Sequence, residues 1–150
     1  MNIQIVKLGA RITYINGIYS IIIGIFLIFF HNFNMKSNFN SIGQLWGFFS
    51  KFNPEIAKIF VLFNTLTGIL ILSSGIIIIY LSDFIIKRKD KMTWVLLFVF
   101  GIINWAALLT ITILLKNLLL IILTFIGWLT FIFGMLIPIK YYLEKNYREY

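Results

Sequence analysis

Few residues of this sequence could carry out chemistry. The chain has one histidine, His31, and no cysteine, which excludes thiol, iron–sulfur and Cys-zinc sites. Glu55 and Asp83 stand at the ends of long apolar stretches. Ser73 and Ser74 have no nearby histidine, lysine or carboxylate that could activate a hydroxyl. We therefore expect no catalytic, metal-binding or cofactor-binding residue; the enzymatic alternative is a lipid-interface enzyme that uses Glu55, His31 or Asp83.

Neutral amides and hydroxyls lie within the apolar stretches. The ones that we single out are Asn16, Asn64, Ser73, Ser74, Asn104, Thr110 and Thr124. In a bilayer such groups form hydrogen bonds between helices, and each bond contributes about 0.6 kcal/mol. We predict that these side chains hold the helices in register. The alternative is that they line a polar cavity or pore.

The chain that carries these groups is very apolar. Of its 150 residues, 61% are hydrophobic and 12% are charged, whereas about 25% are charged in an ordinary globular protein. Thirteen basic and five acidic residues are too few to cover the surface of a soluble domain of this size. The composition therefore indicates an integral membrane protein.

Four stretches are long enough to cross a bilayer as helices. A hydrocarbon core about 30 Å thick needs roughly 20 helical residues. The predicted spans are 12–30, 59–81, 92–115 and 118–139. Because no water satisfies the backbone there, and because none of the stretches alternates as a barrel strand does, we expect unbroken helices. The predicted fold is all-α: a polytopic four-transmembrane-helix bundle forming one integral membrane domain over 1–150.

The distribution of basic residues predicts the orientation of the bundle. Nine lie on the side that holds both termini and the connection between the second and third spans: Lys7, Arg11, Lys87, Arg88, Lys89, Lys91, Lys140, Lys145 and Arg148. Four lie on the opposite side: Lys36, Lys51, Lys58 and Lys116. Since cytoplasmic loops carry the excess of Lys and Arg, we expect both termini in the cytoplasm.

Two connections have features of their own. In the long outer connection, Phe39, Ile42, Trp46 and Phe49 recur at roughly helical spacing, which predicts a short amphipathic helix at the outer interface. We expect it to shield the bundle as a lid; a substrate or partner surface is the alternative. The basic residues of the other connection, Lys87, Arg88, Lys89 and Lys91, either contact anionic lipid, at about 1 kcal/mol each, or only set the orientation.

Packing between the helices can also be predicted. The short turn at Lys116 and Asn117 joins the third and fourth spans into a helical hairpin. Trp105 and Trp128 fall near the middle of the membrane, where an indole N–H needs an acceptor, so we expect both rings to face protein. The alternative is that these rings form the wall of a ligand pocket.

These features favour a non-enzymatic function. We expect a membrane scaffold, an assembly factor or an accessory subunit, with membrane lipids and another membrane protein or a second copy as partners. The alternatives are an oligomeric channel or facilitator for a neutral or lipophilic solute and, less favoured, the lipid-interface enzyme. Nucleic acid is not expected as a partner, because the basic residues lie in short flanks between spans. The abundance of Ile, Asn, Phe and Lys suggests a prokaryotic cytoplasmic membrane.

Overall fold

The computed structural model describes residues 3–144, and within that range the chain forms helices and no strands. The helices are α1 (Ile3–Phe29), α2 (His31–Ser41), α3 (Trp46–Phe52), α4 (Pro54–Arg88), α5 (Lys91–Leu114), α6 (Leu118–Leu136) and α7 (Ile139–Glu144). The predicted all-α fold is confirmed. Two of the basic residues used for the orientation, Lys145 and Arg148, lie outside the described range.

Four helices, α1, α4, α5 and α6, are long and apolar enough to cross a membrane, so the chain is a multi-pass membrane protein. Each contains most of one predicted span, and α1 and α4 begin well before the spans that they contain. At 1.5 Å per residue, the 35 residues of α4 extend about 52 Å, which is longer than the hydrocarbon core is thick. The predicted continuation of α6 to residue 139 is wrong, because the helix ends at Leu136, just before Pro138.

Helices α1 and α4 are antiparallel and pack closely at two pairs of glycines. Gly17 faces Gly75, and Gly24 faces Gly68. A methyl group added to Gly75 would stand 2.7 Å from the carbonyl oxygen of Gly17, and one added to Gly24 would stand 2.8 Å from that of Gly68. Only glycine permits this backbone approach, which is how small residues bring membrane helices together.

Helices α5 and α6 form the predicted hairpin. Lys116 adopts a left-handed backbone (φ 54°), and the side chain of Asn117 then accepts from the N–H of Leu120 as the N-cap of α6. Along the hairpin, the ring of Trp105 lies directly against Gly127. A bulky ring on one helix therefore occupies the space that a glycine leaves on its neighbour.

The connection between α1 and α4 forms a cap of two short helices, α2 and α3, over one end of the bundle. The sequence predicted one helix here, but the chain turns at Gly43, which has a left-handed backbone (φ 75°). Helix α2 ends because the N–H of Gln44 bonds back to the carbonyl of Phe39. As a result Ile42, predicted on the apolar face, is 56% exposed, whereas Phe39 and Trp46 are buried against each other.

Candidate functional site

A cavity of about 530 Å³ lies between the cap and the adjacent half of the bundle. Every long helix contributes to its wall, from Ile23 of α1 to Thr124 of α6. Phe39 and Phe49 of the cap line one end of it, and Trp105 of α5 lines the opposite, deep end. The volume is within the range of about 300–1,000 Å³ that is typical of ligand pockets.

The deep end of the cavity is closed by a hydrogen-bonded cluster. The indole N–H of the fully buried Trp105 donates to Asn16 Oδ1 at 3.0 Å. The amide of Asn16 donates in turn to the carbonyl of Gly127 at 2.7 Å and to the hydroxyl of Thr130 at 2.8 Å. Tyr19 stacks on Trp105, with 6.2 Å between the ring centroids. This cluster joins α1, α5 and α6 at the middle of the bundle.

The polar groups in the cavity wall mostly use their donors within the protein. The hydroxyls of Thr67 and Thr124 donate to carbonyls of their own helices, at 2.9 and 2.8 Å. Thr112 donates to Leu109 and lies 3.0 Å from the hydroxyl of Thr124. Asn64 donates to the carbonyl of Leu27 at 2.7 Å, across the α1–α4 interface. These side chains therefore present mainly apolar surface to the cavity.

The cap is attached to the α5–α6 turn by hydrogen bonds. The amide of the buried Asn117 donates to the hydroxyl of Ser37 at 2.9 Å and to Asn38 Oδ1 at 2.6 Å. Ser41 donates to the carbonyl of Leu115 at 2.8 Å. On the other side, Phe39 packs edge-on against Phe60 of α4, with the centroids 5.5 Å apart. The cap is therefore held on both walls of the cavity.

One side of the cavity opens toward the surroundings of the bundle. Phe63 of α4 and Ile111 of α5 both line the cavity, yet they are 63% and 51% exposed. Farther from the cap, α4 and α5 come together where Ser74 donates to Asn104 Oδ1 at 3.2 Å. A gap between α4 and α5 near the cap therefore connects the cavity with the lipid-facing surface.

The structure brings some of the predicted polar residues together and separates others. Asn64 and Thr124 line the cavity. Asn16 lies below it, and Ser74 and Asn104 bond to each other. Their predicted roles, in packing or in a cavity, stay predictions.

Two of the predicted polar residues, Ser73 and Thr110, need correction. Both side chains are exposed on the outside of the bundle and not directed into it. Their hydroxyls donate to the carbonyls of Ile69 and Ala106, four residues earlier in the same helix. A hydroxyl that bonds to its own helix can face lipid, which is why the polar residue type alone did not identify the interior face.

The basic segment forms the turn between α4 and α5, at the end of the bundle away from the cap. Lys87 pairs with Asp83 at 2.6 Å, and the guanidinium of Arg88 lies 4.7 Å from the ring centroid of Phe84. Lys89 ends α4 with a left-handed backbone (φ 52°), and Lys91 begins α5. Contact of these residues with anionic lipid stays a prediction.

The residues considered for interfacial catalysis do not converge. His31 begins α2 and Glu55 lies in the first turn of α4, whereas Asp83 is near the opposite end of the same helix. Between residues 3 and 144 no group of three His, Asp or Glu side chains could hold a metal ion.

Three residues with a role at this site were missed from the sequence. Tyr19 donates its phenol O–H to the carbonyl of Leu123 at 2.9 Å, and Asn38 and Asn117 join the cap to the bundle. Asn117 had a visible signal, since an asparagine directly after a tight turn is a good N-cap. No local pattern distinguishes Tyr19 from the other tyrosines, because its partner is distant in sequence. No protein-family model, curated protein or solved structure matches the chain.

Proposed function

We propose that this chain is a non-enzymatic membrane protein that binds a lipophilic molecule inside its bundle. The observation that carries the proposal is the cavity of about 530 Å³, which no charged side chain of residues 3–144 lines. Ligand pockets are mostly apolar, with a few polar groups that orient the ligand. A neutral cavity inside a membrane-spanning bundle favours a ligand that reaches it from the lipid. The proposal keeps the lipophilic ligand of the facilitator predicted from the sequence, but it includes binding only and no transport.

The distribution of basic residues supports an orientation for this function. With both termini and the Lys87–Lys91 turn in the cytoplasm, the cap and the cavity face the outer leaflet. The compositional bias toward Ile, Asn, Phe and Lys favours a prokaryotic cytoplasmic membrane. The ligand would then come from the outer half of that membrane.

Binding fits this cavity better than conduction does. The fully buried Trp105 and its bond to Asn16 stand between the cavity and the far side of the bundle, so a solute has no polar path onward. The scaffold, assembly-factor or accessory-subunit function that the sequence favours stays a prediction. The predicted partners, another membrane protein or a second copy of the chain, also stay predictions, because no observation on the described residues favours either partner.

Two threonine variants test the proposal. Thr67 lines the cavity, whereas Thr110 is exposed on α5, and both hydroxyls donate to a carbonyl four residues earlier at 2.9 Å. Thr67→Phe should fill part of the cavity, while Thr110→Phe should leave it open. The measurement is the titration of each purified protein, in maltoside micelles, with an uncharged dye that fluoresces in apolar surroundings.

The proposal predicts saturable binding of the dye to the unchanged protein and to Thr110→Phe, and binding at least tenfold weaker to Thr67→Phe. Circular dichroism melting of all three proteins checks that the variants are folded. Equal affinity of the two variants, or dye uptake that never saturates, would contradict the proposal.

A further inference from the structure

We infer that the cavity binds a single acyl chain of a membrane lipid, with the ester carbonyl at the cap and the chain end at Trp105. This inference rests on the proposed function and specifies the class of ligand and its orientation. It follows from four properties of the cavity: its size, its lack of charge, the position of its free hydrogen-bond donors, and its opening.

The size of the cavity matches one chain. A water-sized group takes up about 30 Å³, so a cavity of about 530 Å³ has room for roughly 18 such groups. A methylene group, like a water molecule, has one heavy atom and is of similar size. A single long acyl chain therefore fits this volume. The second chain of the lipid and the head group then stay in the bilayer.

The lack of charge selects a neutral linkage. Burial of an ionised carboxylate without a cationic partner is strongly unfavourable, and none of the described residues in the cavity wall is a lysine, arginine or histidine. The chain of an intact ester lipid satisfies this condition, whereas an ionised free fatty acid does not. The ester lipid and the free fatty acid have the same alkyl chain, and they differ in the charge at its head.

The free donors are at the cap end. Gln44 is an exposed residue at the rim of the cavity, and its side-chain amide forms no hydrogen bond with any other described residue. Asn38 uses its Oδ1 to accept from Asn117, while its N–H₂ group donates to nothing within residues 3–144. Ester carbonyls only accept hydrogen bonds, so two free amide donors at one end suit an ester at that end. The donors of Thr67 and Thr124, deeper in the cavity, are already used by carbonyls.

The opening lets a chain enter without leaving the bilayer. Phe63 and Ile111 belong both to the cavity wall and to the exposed surface, so the gap between α4 and α5 faces the acyl region of the surrounding lipid. A lipid can move its chain sideways through this gap while its head group stays at the membrane surface. The cap, attached through Asn117, then covers the carbonyl end of the chain.

Tryptophan quenching by brominated lipid tests the orientation. In the first variant Trp46, Trp94 and Trp128 are changed to Phe, so that only Trp105 remains. In the matched variant Trp46, Trp94 and Trp105 are changed to Phe, so that only Trp128 remains, which is partly buried. Each is titrated in maltoside micelles with a phosphatidylcholine brominated either near the chain end or near the carbonyl.

The inference predicts that Trp105 fluorescence is quenched in a saturable way, at one lipid per protein, and at least twofold more by chain-end bromine. Quenching of Trp128 should rise in proportion to the lipid, without saturation. Adding Thr67→Phe to the Trp105 variant should abolish the saturable part. Equal quenching from both bromine positions, or stronger quenching from the carbonyl position, would overturn the inference.

Competition with the dye tests the linkage. Methyl palmitate should compete at least tenfold better than palmitate at pH 9. Gln44→Met should weaken methyl palmitate about fivefold, as expected from the loss of one neutral hydrogen bond, and should leave hexadecane unchanged. Asn40→Leu, a change at an exposed cap position outside the cavity, is the control.

The outcomes separate the inference from the proposed function. If the dye binds but palmitate competes as well as its ester, or if Gln44→Met weakens hexadecane equally, the inference about the acyl chain fails and lipophile binding stands. If the dye itself does not bind in a saturable way, the proposed function fails and the inference fails with it.

Discussion

Replacing Asn16 with leucine should destabilise the bundle more than any change on its lipid-facing surface. Leucine has the same branched shape but cannot form the three hydrogen bonds that Asn16 makes with Trp105, Gly127 and Thr130. Two of these bonds contribute about 0.6 kcal/mol each. Loss of the third leaves the buried indole N–H without an acceptor, which costs about 1–3 kcal/mol. We therefore expect a loss of about 2–4 kcal/mol in the free energy of unfolding.

The assay is reversible unfolding in mixed micelles with increasing dodecyl sulfate, followed by circular dichroism. Thr110→Val is the matched control, because that hydroxyl is exposed and bonds only to its own helix; it should change stability by less than about 0.5 kcal/mol. In a Trp105→Phe background the effect of Asn16→Leu should shrink by about 1 kcal/mol or more, because the orphaned donor is absent. If Asn16→Leu costs no more than Thr110→Val, the hydrogen-bonded cluster does not hold the bundle together.

Three further changes have expected outcomes. Gly75→Ala places a methyl group 2.7 Å from a backbone oxygen of α1 and should destabilise by about 1–3 kcal/mol in the same assay, whereas Gly47→Ala, with open space around it, should not. Burial raises the pKa of the Tyr142 phenol above its ordinary value, so the neutral form stabilises the fold; stability should fall as pH rises above about 10, and less so in Tyr142→Phe. Asn117→Leu should free the cap, seen as faster proteolysis between α2 and α3, without loss of helical content.

The spans could be predicted from the sequence because length and hydrophobicity in a bilayer leave few alternatives. The 19 or more consecutive uncharged residues of each predicted span are enough for a helix, whatever the propensity of isoleucine for strands. The hairpin at Asn117 followed from the shortness of its turn. The ends of α1 and α4 did not follow, because helices can continue past the hydrocarbon core into polar surroundings.

The interior of the bundle was less predictable. Asn16, Ser73 and Thr110 are all polar residues in apolar stretches, yet only Asn16 faces a partner helix. The rotation of each helix decides this, and the helices are apolar all around, so hydrophobicity does not reveal the buried face. Trp105 was expected to face protein and is fully buried, but its acceptor, Asn16, is 89 residues away.

The cavity itself could not be derived from the sequence. Its wall combines residues of the cap and of all four long helices, and the cap is placed by the turn at Gly43 and the bonds from Asn117 to α2. Both are tertiary features without a periodic pattern. A pocket walled by Trp105 and Trp128 was only the alternative interpretation of the sequence; Trp105 lines the cavity and Trp128 does not.

If the proposal is right, lipid reaches the interior of the bundle on the side of the cap. Photocrosslinking in liposomes tests this, with a phospholipid that carries a diazirine at the end of one chain, followed by mass spectrometry of the labelled peptides. We expect labels on the deep cavity wall, at Ile23, Ile71 or Trp105, which are lost in Thr67→Phe and kept in Thr110→Phe. Labels confined to exposed residues such as Val99 and Ile103, with none in the cavity, would contradict it.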